Sequence, residues 1–171
     1  MATTGPDQRA GEPHWLDADE RAAWLSLAGV VPLLPAALDA QLQRDADLSH
    51  FEYMVLAMLS ERPTRTARMS ELAALANGSL SRLSHVARRL EGQGYLVRQA
   101  CAEDRRATNA VLTDSGYAKV VATAPGHVTA VRRLVFDALD AEQRAQLRAI
   151  GDRILGRVNP GSACPGGVDE H

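Results

Sequence analysis

Apolar residues between positions 15 and 158 recur mostly at helical spacing, with one short interval of extended character. Asp17 followed by Glu20 is typical of a helix start, and the first predicted helix extends to about Asp45. Pro32 and Pro35 are expected to kink or split it, because proline lacks a backbone donor and crowds the preceding turn. The apolar residues near one face of this helix are Trp24, Leu27, Leu34, Leu38 and Leu42.

The middle of the chain predicts three more helices. Ser49 begins the first, which ends near residues 61–64, and Ser70 begins a short second helix that ends at Asn77. Asn77-Gly78 predicts a tight turn, since both residue types tolerate positive φ. The third helix, residues 79–91, buries one stripe and exposes a polar, basic face. The stripe is Leu83, Val86, Ala87 and Leu90, and the outer face is Ser81, Arg82, Ser84, His85, Arg88 and Arg89.

Two extended runs follow, at residues 95–101 and 107–113, and the polar residues 102–106 join them as a hairpin loop. A helical pattern resumes after Gly116 and continues to about Leu139, with an interruption predicted at Pro125. A last helix begins after Asp140. Its apolar side is Leu147, Ile150, Ile154 and Leu155.

A short helix, a glycine-containing turn, a second helix with a basic face and a hairpin together predict a winged helix-turn-helix. The predicted fold class is mainly α with a small β-hairpin wing and additional helices at both ends. A helix of this kind fits the major groove of DNA, and a charged hairpin can reach the flanking backbone or minor groove.

The charge distribution favours nucleic acid more than the net charge does. The 171 residues carry a net charge of −2. Between Glu61 and Arg106, however, nine arginines and five acidic residues give +4, while ten basic and sixteen acidic residues elsewhere give −6. Affinity for phosphates depends on local charge, so positive charge lies where the motif requires it.

Composition and motif searches argue against other classes of protein. Hydrophobic residues make up 46% of the chain, enough for a core. The longest uncharged run, residues 22–38, has 17 residues and contains two prolines, which argues against a membrane span, and the two distant cysteines favour a cytoplasmic protein. Residues 1–14 and 159–171 are predicted to be loose tails. The sequence has no nucleophile-elbow, phosphate-loop or zinc-protease motif, so neither an enzyme nor a bound cofactor or metal is expected.

Three segments resemble the MarR family of bacterial winged-helix regulators. They are Met69-Ser-Glu-Leu-Ala, the run Ser81 to Arg98 with its Leu-Glu-x-x-Gly-Tyr-Leu-Val-Arg ending, and Asp104-x-Arg followed by Leu-Thr-x-x-Gly116. The resemblance is collinear from about residue 20 to residue 157. It implies a homodimer that binds a pseudo-palindromic double-stranded DNA operator, with a helix in each major groove and a wing in the minor groove.

The resemblance also implies roles for individual residues. Ser81, Arg82, Ser84 and His85 would face the bases, and Arg88 and Arg89 would continue that face. Arg106 would enter the minor groove, with Asp104 orienting it and Arg105 beside it. Arg68 and Ser70 would approach phosphate. His85 stands where similar proteins often carry arginine, so a generic operator preference does not carry over.

The implied organisation has a dimerisation region at 15–48, a DNA-binding domain at 49–116 and dimerisation helices at 117–158. Proteins of this family are commonly released from DNA when a small molecule binds in a pocket. The residues expected to line such a pocket, or else to form ordinary core, are Trp24, Leu27, His50, Tyr53 and Met54. Two alternatives stay open: a metal- or thiol-responsive regulator, using His50 with His127 or using Cys101, and a winged-helix module for protein–protein assembly.

Overall fold

The computed structural model describes residues 13–101, 104 and 107–159, and within them it is mainly helical. Arg105, Arg106 and most of the two predicted tails therefore lie outside the described residues. The helices are α1 (Ala18–Ala46), α2 (His50–Ser60), α3 (Met69–Leu75), α4 (Leu80–Gly92), α5 (Asp114–Leu134) and α6 (Ala141–Val158). The strands are β1 (Thr66–Arg68), β2 (Leu96–Ala100) and β3 (Thr108–Leu112), and one 3-10 turn covers Phe136–Ala138.

Three prolines that were expected to interrupt helices lie within continuous ones. Pro32 and Pro35 are inside α1, and Pro125 is inside α5. Each proline removes one donor, which leaves the carbonyl four residues earlier without its helical partner. Val31 and Val121, which precede Pro35 and Pro125 by four residues, are 60% and 54% exposed, and Ala28, which precedes Pro32 by four, is half-buried. The predicted split of α1 and the predicted interruption of α5 are therefore wrong.

Residues up to Leu34 form the first of two compact units, and residues from Pro35 onward form the second. In the first unit, the Asp17 side chain accepts from the Glu20 N–H at 2.8 Å and Glu20 accepts from the Asp17 N–H at 3.0 Å. This reciprocal pair begins α1 as the sequence predicts. The apolar side chains of this unit are largely exposed: Trp15, Leu16, Trp24, Leu25, Leu27, Val30, Val31 and Leu33.

The second unit contains the hydrophobic core. The predicted inner stripe of α4 is part of it, because Leu83, Ala87 and Leu90 are buried and Val86 packs against them. The C-terminal end of α1, helices α2, α3 and α5, Leu48 and the sheet supply the rest of the core, so the helix pair and the strands share one interior. The other core residues include Leu42, Leu48, Val55, Leu56, Leu59, Leu72, Leu96, Ala110, Leu112 and Val120.

The sheet has three antiparallel strands in the order β1-β3-β2. The predicted hairpin is β2 and β3, with Leu96 opposite Leu112 and Ala100 opposite Thr108. Strand β1, which the sequence analysis did not predict, pairs with the other edge of β3 and ends at Arg68, directly before α3. The helix pair is therefore joined to the wing through backbone hydrogen bonds as well as through the core.

Candidate nucleic-acid interface

The turn between α3 and α4 fixes the direction of α4. Asn77 adopts a positive φ of 49°, as expected for the turn, and a Cβ at Gly78 would lie 2.8 Å from the Phe51 ring, which would then have to shift. Ser79 then accepts from the Arg82 N–H at 3.1 Å and caps α4. Gly94, with a φ of 75°, follows the end of the helix.

Helix α3 begins differently from the prediction. Its cap position is Arg68, which makes no side-chain capping bond, and Ser70 is already inside the helix. The chain enters α3 directly from β1, so strand pairing and the burial of Met69 fix the helix start. The predicted serine cap is therefore wrong, and Ser70 is an exposed residue in the first turn of α3.

The outer face of α4 is exposed along its length, except that Ser84 is half-buried. Two of its arginines contact α2: the Arg82 guanidinium lies 4.2 Å from the centre of the Phe51 ring, and Arg89 Nη1 lies 3.3 Å from Glu52 Oε1. Arg88 has no ion-pair partner among residues 13–101, 104 and 107–159. The exposed polar side chains of α4 that make no such contact are Ser81, His85 and Arg88.

A cavity of about 370 Å³ lies between the helix pair and the wing. It brings together Arg68 and Ser70 at the start of α3, Ser84 on α4 and Asp104 in the hairpin loop. Four of the predicted DNA-contacting residues thus line one groove, although they are up to 36 positions apart in the sequence. The roles predicted for Arg105 and Arg106 fall on residues outside those described.

A clamp between Glu91 and Arg98 fixes the base of the wing to the end of α4. Glu91 Oε2 accepts from Arg98 Nε at 3.0 Å and Nη2 at 2.7 Å, and Glu91 Oε1 accepts from the Arg98 backbone N–H at 3.0 Å. The backbone and side-chain bonds from Arg98 hold the pKa of Glu91 below its usual value. Both residues lie in the Leu-Glu-x-x-Gly-Tyr-Leu-Val-Arg segment, from which no role was predicted for either.

The motif Leu-Thr-x-x-Gly completes the base of the wing. The Thr113 hydroxyl donates to the Gly94 carbonyl at 2.7 Å and accepts from the Gly116 N–H at 3.0 Å, while the Thr113 N–H donates to the Tyr95 carbonyl at 3.1 Å. A Cβ at Gly116 would lie 2.0 Å from that Tyr95 oxygen. Threonine and glycine at this spacing therefore let the start of α5 pack against the turn that follows α4.

Two of the residues expected to line an effector pocket share one cavity. His50 and Met54 line a cavity of about 590 Å³, which Phe51, Asp39 and Arg82 also line. Tyr53 is buried and packs against His127, with ring centres 4.6 Å apart. Trp24 and Leu27 are exposed residues of the first unit.

His50 and His127 lie close together, with ring centres 5.9 Å apart. Burial lowers the pKa of both imidazoles; the Asp39 carboxylate opposes this at His50, and the neighbouring His50 lowers the pKa of His127 further. His127 Nδ1 lies 3.4 Å from Gln41 Oε1. In the described part of the chain, no cluster of three or more His, Cys, Asp or Glu side chains could hold a metal ion.

Cys101, the other sensor candidate, is buried at the end of β2, where its N–H donates to the Ala107 carbonyl at 2.9 Å. Cys164 lies outside the described residues. The burial of Cys101 is typical of a cysteine that packs as a small apolar side chain.

Two helices expose apolar side chains that the core does not use. Helix α1 is long and apolar enough to cross a membrane by length and composition, and few of the residues in that apolar window are buried. Its C-terminal residues Leu38, Leu42 and Ala46 are nevertheless buried. On α6, the predicted apolar side is exposed as well: Leu147, Ile150, Ile154 and Leu155.

Comparisons with known proteins agree with this geometry. A model of the MarR family matches residues 48–108. The chain is 45% identical to a MarR family transcriptional regulator from Streptomyces coelicolor that was crystallised in complex with DNA; the match covers 90% of this chain and 96% of that one, with a TM-score of 0.84. It is 35% identical to AbsC, a MarR family regulator from the same organism, over 86% and 99% of the two chains, with a TM-score of 0.81.

A more distant structure, the S. aureus MepR–DNA complex, shares the fold at 21% identity and a TM-score of 0.69, over 79% of this chain and 96% of that one. A sequence comparison with curated proteins gives no match. The similar proteins are transcriptional regulators, which agrees with the absence of enzyme motifs in the sequence.

Proposed function

Because this chain belongs to the MarR family of transcriptional regulators, we propose that it is a homodimeric repressor of a pseudo-palindromic operator. Helix α4 would enter the major groove and the wing the minor groove of each half-site. The observation that carries the proposal is the groove between α3, α4 and the wing, where Arg68, Ser70, Ser84 and Asp104 converge.

The DNA contacts are proposed in two classes. Ser81, Arg82, Ser84 and His85 would read base edges, because they lie in the first two turns of an exposed helix face. The phosphate and minor-groove contacts would come from Arg68, Ser70, Arg88, Arg105 and Arg106, with Asp104 orienting Arg106. The net charge of +4 between Glu61 and Arg106 supports the proposed phosphate contacts.

The test begins with selection of preferred sites from random duplex DNA by the purified protein. Anisotropy titrations on the selected site then compare wild type with Arg106→Ala and His85→Ala. Loss of a minor-groove arginine should weaken binding by about tenfold, whereas loss of a base reader should also change the preferred sequence. No enrichment of any sequence, or affinity unaffected by salt, would contradict the proposal.

The proposed dimer uses residues 15–48 and 117–158 as arms around the DNA-binding domain 49–116. Apolar side chains on α1 and α6 support it, because exposed apolar surface of this extent marks an interface with another protein or a membrane. Sedimentation of Ile150→Glu, a residue 55% exposed in the single chain, should show a shift toward monomer. Glu142→Gln, on the same helix outside the apolar stripe, is the matched control. Detergent-dependent solubility of wild type would favour a membrane instead.

The proposed effector site is the cavity of about 590 Å³ lined by His50, Phe51, Met54 and Arg82. Its volume suits a small organic molecule. A ligand there would contact Arg82, a proposed base reader, so binding could oppose DNA contact. The test is a screen of small organic compounds for loss of operator binding, repeated with the cavity-filling variant Met54→Trp. A compound that releases the wild type but not the variant would support this site, whereas one that still releases the variant would bind elsewhere.

A further inference from the structure

Glu52 carries a carboxylate in the hydrophobic core. Its side chain is 2% exposed, and it caps the start of α2 by accepting from the Ser49 N–H at 2.7 Å and from the Ser49 hydroxyl at 2.9 Å. These bonds occupy Oε2, and Oε1 faces the guanidinium of Arg89 at 3.3 Å. A buried carboxylate requires such a cation, because an unpaired charge in the interior is strongly destabilising.

Arg89 also lies 3.9 Å from the Asp47 carboxylate, at the corner where α1 ends. Asp47 has a positive φ of 52°, so this corner is a defined turn between α1 and α2. One arginine of α4 is therefore held between two carboxylates of the α1–α2 corner, and its side chain is 46% exposed.

A second arginine of α4 reaches the same turn of α2. Arg82 precedes Arg89 by seven positions, two helical turns, and its guanidinium stacks on Phe51, the neighbour of Glu52. The backbone positions of the two arginines are thus about 10 Å apart along α4, and their side chains contact adjacent residues of α2.

We propose that Arg89 is a positioning residue, which sets the orientation of α4 through Glu52 and does not serve as a phosphate contact. This rests on the proposed DNA-binding function, and it narrows the set of arginines that the sequence assigns to DNA. The neighbouring Arg88, exposed and without an ion-pair partner in the described part of the chain, keeps the phosphate role.

The experiment compares Arg89→Gln with Arg88→Gln on the selected operator and on a scrambled duplex, over a series of salt concentrations. Arg88→Gln should reduce the salt slope by about one and weaken both duplexes similarly. Arg89→Gln should leave the slope unchanged and reduce the ratio of operator to scrambled affinity by about fivefold, an effect within the range of coupled residues.

Glu52→Gln makes the test sharper, because a buried side chain cannot contact DNA. It should reproduce the specificity loss of Arg89→Gln, and the double variant should lose little more. Binding is measured well below the unfolding temperature of every variant, with helical content checked by circular dichroism, so that instability alone leaves the ratio unchanged. Arg89→Lys, which keeps the charge, should recover part of the ratio.

Three results would overturn the proposal. A salt slope reduced by one in Arg89→Gln would make Arg89 a phosphate contact while leaving the repressor function intact. Wild-type specificity in Glu52→Gln would show that the ion pair does not orient α4. Additive effects of Arg89→Gln and Glu52→Gln on thermal unfolding, measured without DNA, would show that the two side chains are not energetically coupled. Failure of the wild type to bind any duplex is a different outcome, which contradicts the proposed DNA-binding function on which the positioning role rests.

Discussion

Replacing Gly116 by alanine should destabilise the protein, although alanine is the better helix former. The added Cβ would lie 2.0 Å from the Tyr95 carbonyl oxygen and 2.7 Å from the Leu112 side chain. Real contacts of this kind need more than 3 Å, and the nearest atom belongs to the backbone, so the start of α5 and the turn before β2 must separate.

The magnitude follows from the contacts that this separation disturbs. Thr113 bonds to Tyr95, Gly94 and Gly116, and losing two or three such bonds costs about 1 kcal/mol each. Overpacking adds about 1–3 kcal/mol, and the helix propensity of alanine returns about 1 kcal/mol. The expected loss in the free energy of unfolding is about 2–5 kcal/mol, which lowers Tm by roughly 5–15 °C for a chain of this size.

The assay is thermal unfolding followed by circular dichroism at one fixed protein concentration, because a dimer makes Tm depend on concentration. Gly126→Ala is the matched control: it lies in the same helix, and its added Cβ would meet only Gln41 Nε2 at 3.7 Å, an ordinary contact. The control should be neutral or stabilised by up to about 1 kcal/mol. If both variants rise in Tm, the close approach at Gly116 is not a constraint and the reasoning is refuted.

The other predictions concern the histidine pair, the wing and a helix cap. Since burial lowers the pKa of His50 and His127, the unfolded state binds more protons than the folded one, and stability should fall as pH drops below about 6.5. If the free energy of unfolding of His127→Gln depends on pH as steeply as that of the wild type, this histidine pair is not the cause. Glu91→Gln removes the carboxylate charge that pairs with Arg98 and so loosens the base of the wing; operator affinity should fall with the fold intact, and unchanged anisotropy titrations would make this ion pair irrelevant to DNA binding. Asp140→Ala removes the capping box of α6 and should cost about 1 kcal/mol in chemical denaturation, where an unshifted midpoint would argue against it.

The sequence predicted the helices and the hairpin because their signals are local. Leu83, Ala87 and Leu90 repeat at helical spacing, and Ser49 and Asp140 occur where helices begin. The resemblance to the MarR family, drawn from three short segments, is confirmed by the comparisons.

The features that were missed depend on distant partners or on very short segments. Strand β1 has only three residues, too few for alternation to show, and its pairing with Asn109 and its neighbours spans about 40 positions. Glu52 and Arg89 are 37 positions apart, so nothing near Arg89 distinguishes it from Arg88. The predicted split of α1 and the predicted interruption of α5 were wrong for a different reason: a helix tolerates one missing donor at a time where the residue that loses its partner is not buried.

The direct passage from β1 into α3 has a consequence for redesign. Arg68 ends a strand paired with β3, Met69 begins the helix, and Glu91 holds Arg98 at the far end of the same assembly. The wing and the helix pair therefore form one cassette with three attachments, not two modules in series. Under the proposed function, transplanting α4 alone into a related scaffold would transfer its base-facing side chains but not the angle at which the helix meets DNA. The smallest transferable segment then runs from Thr66 to Gly116.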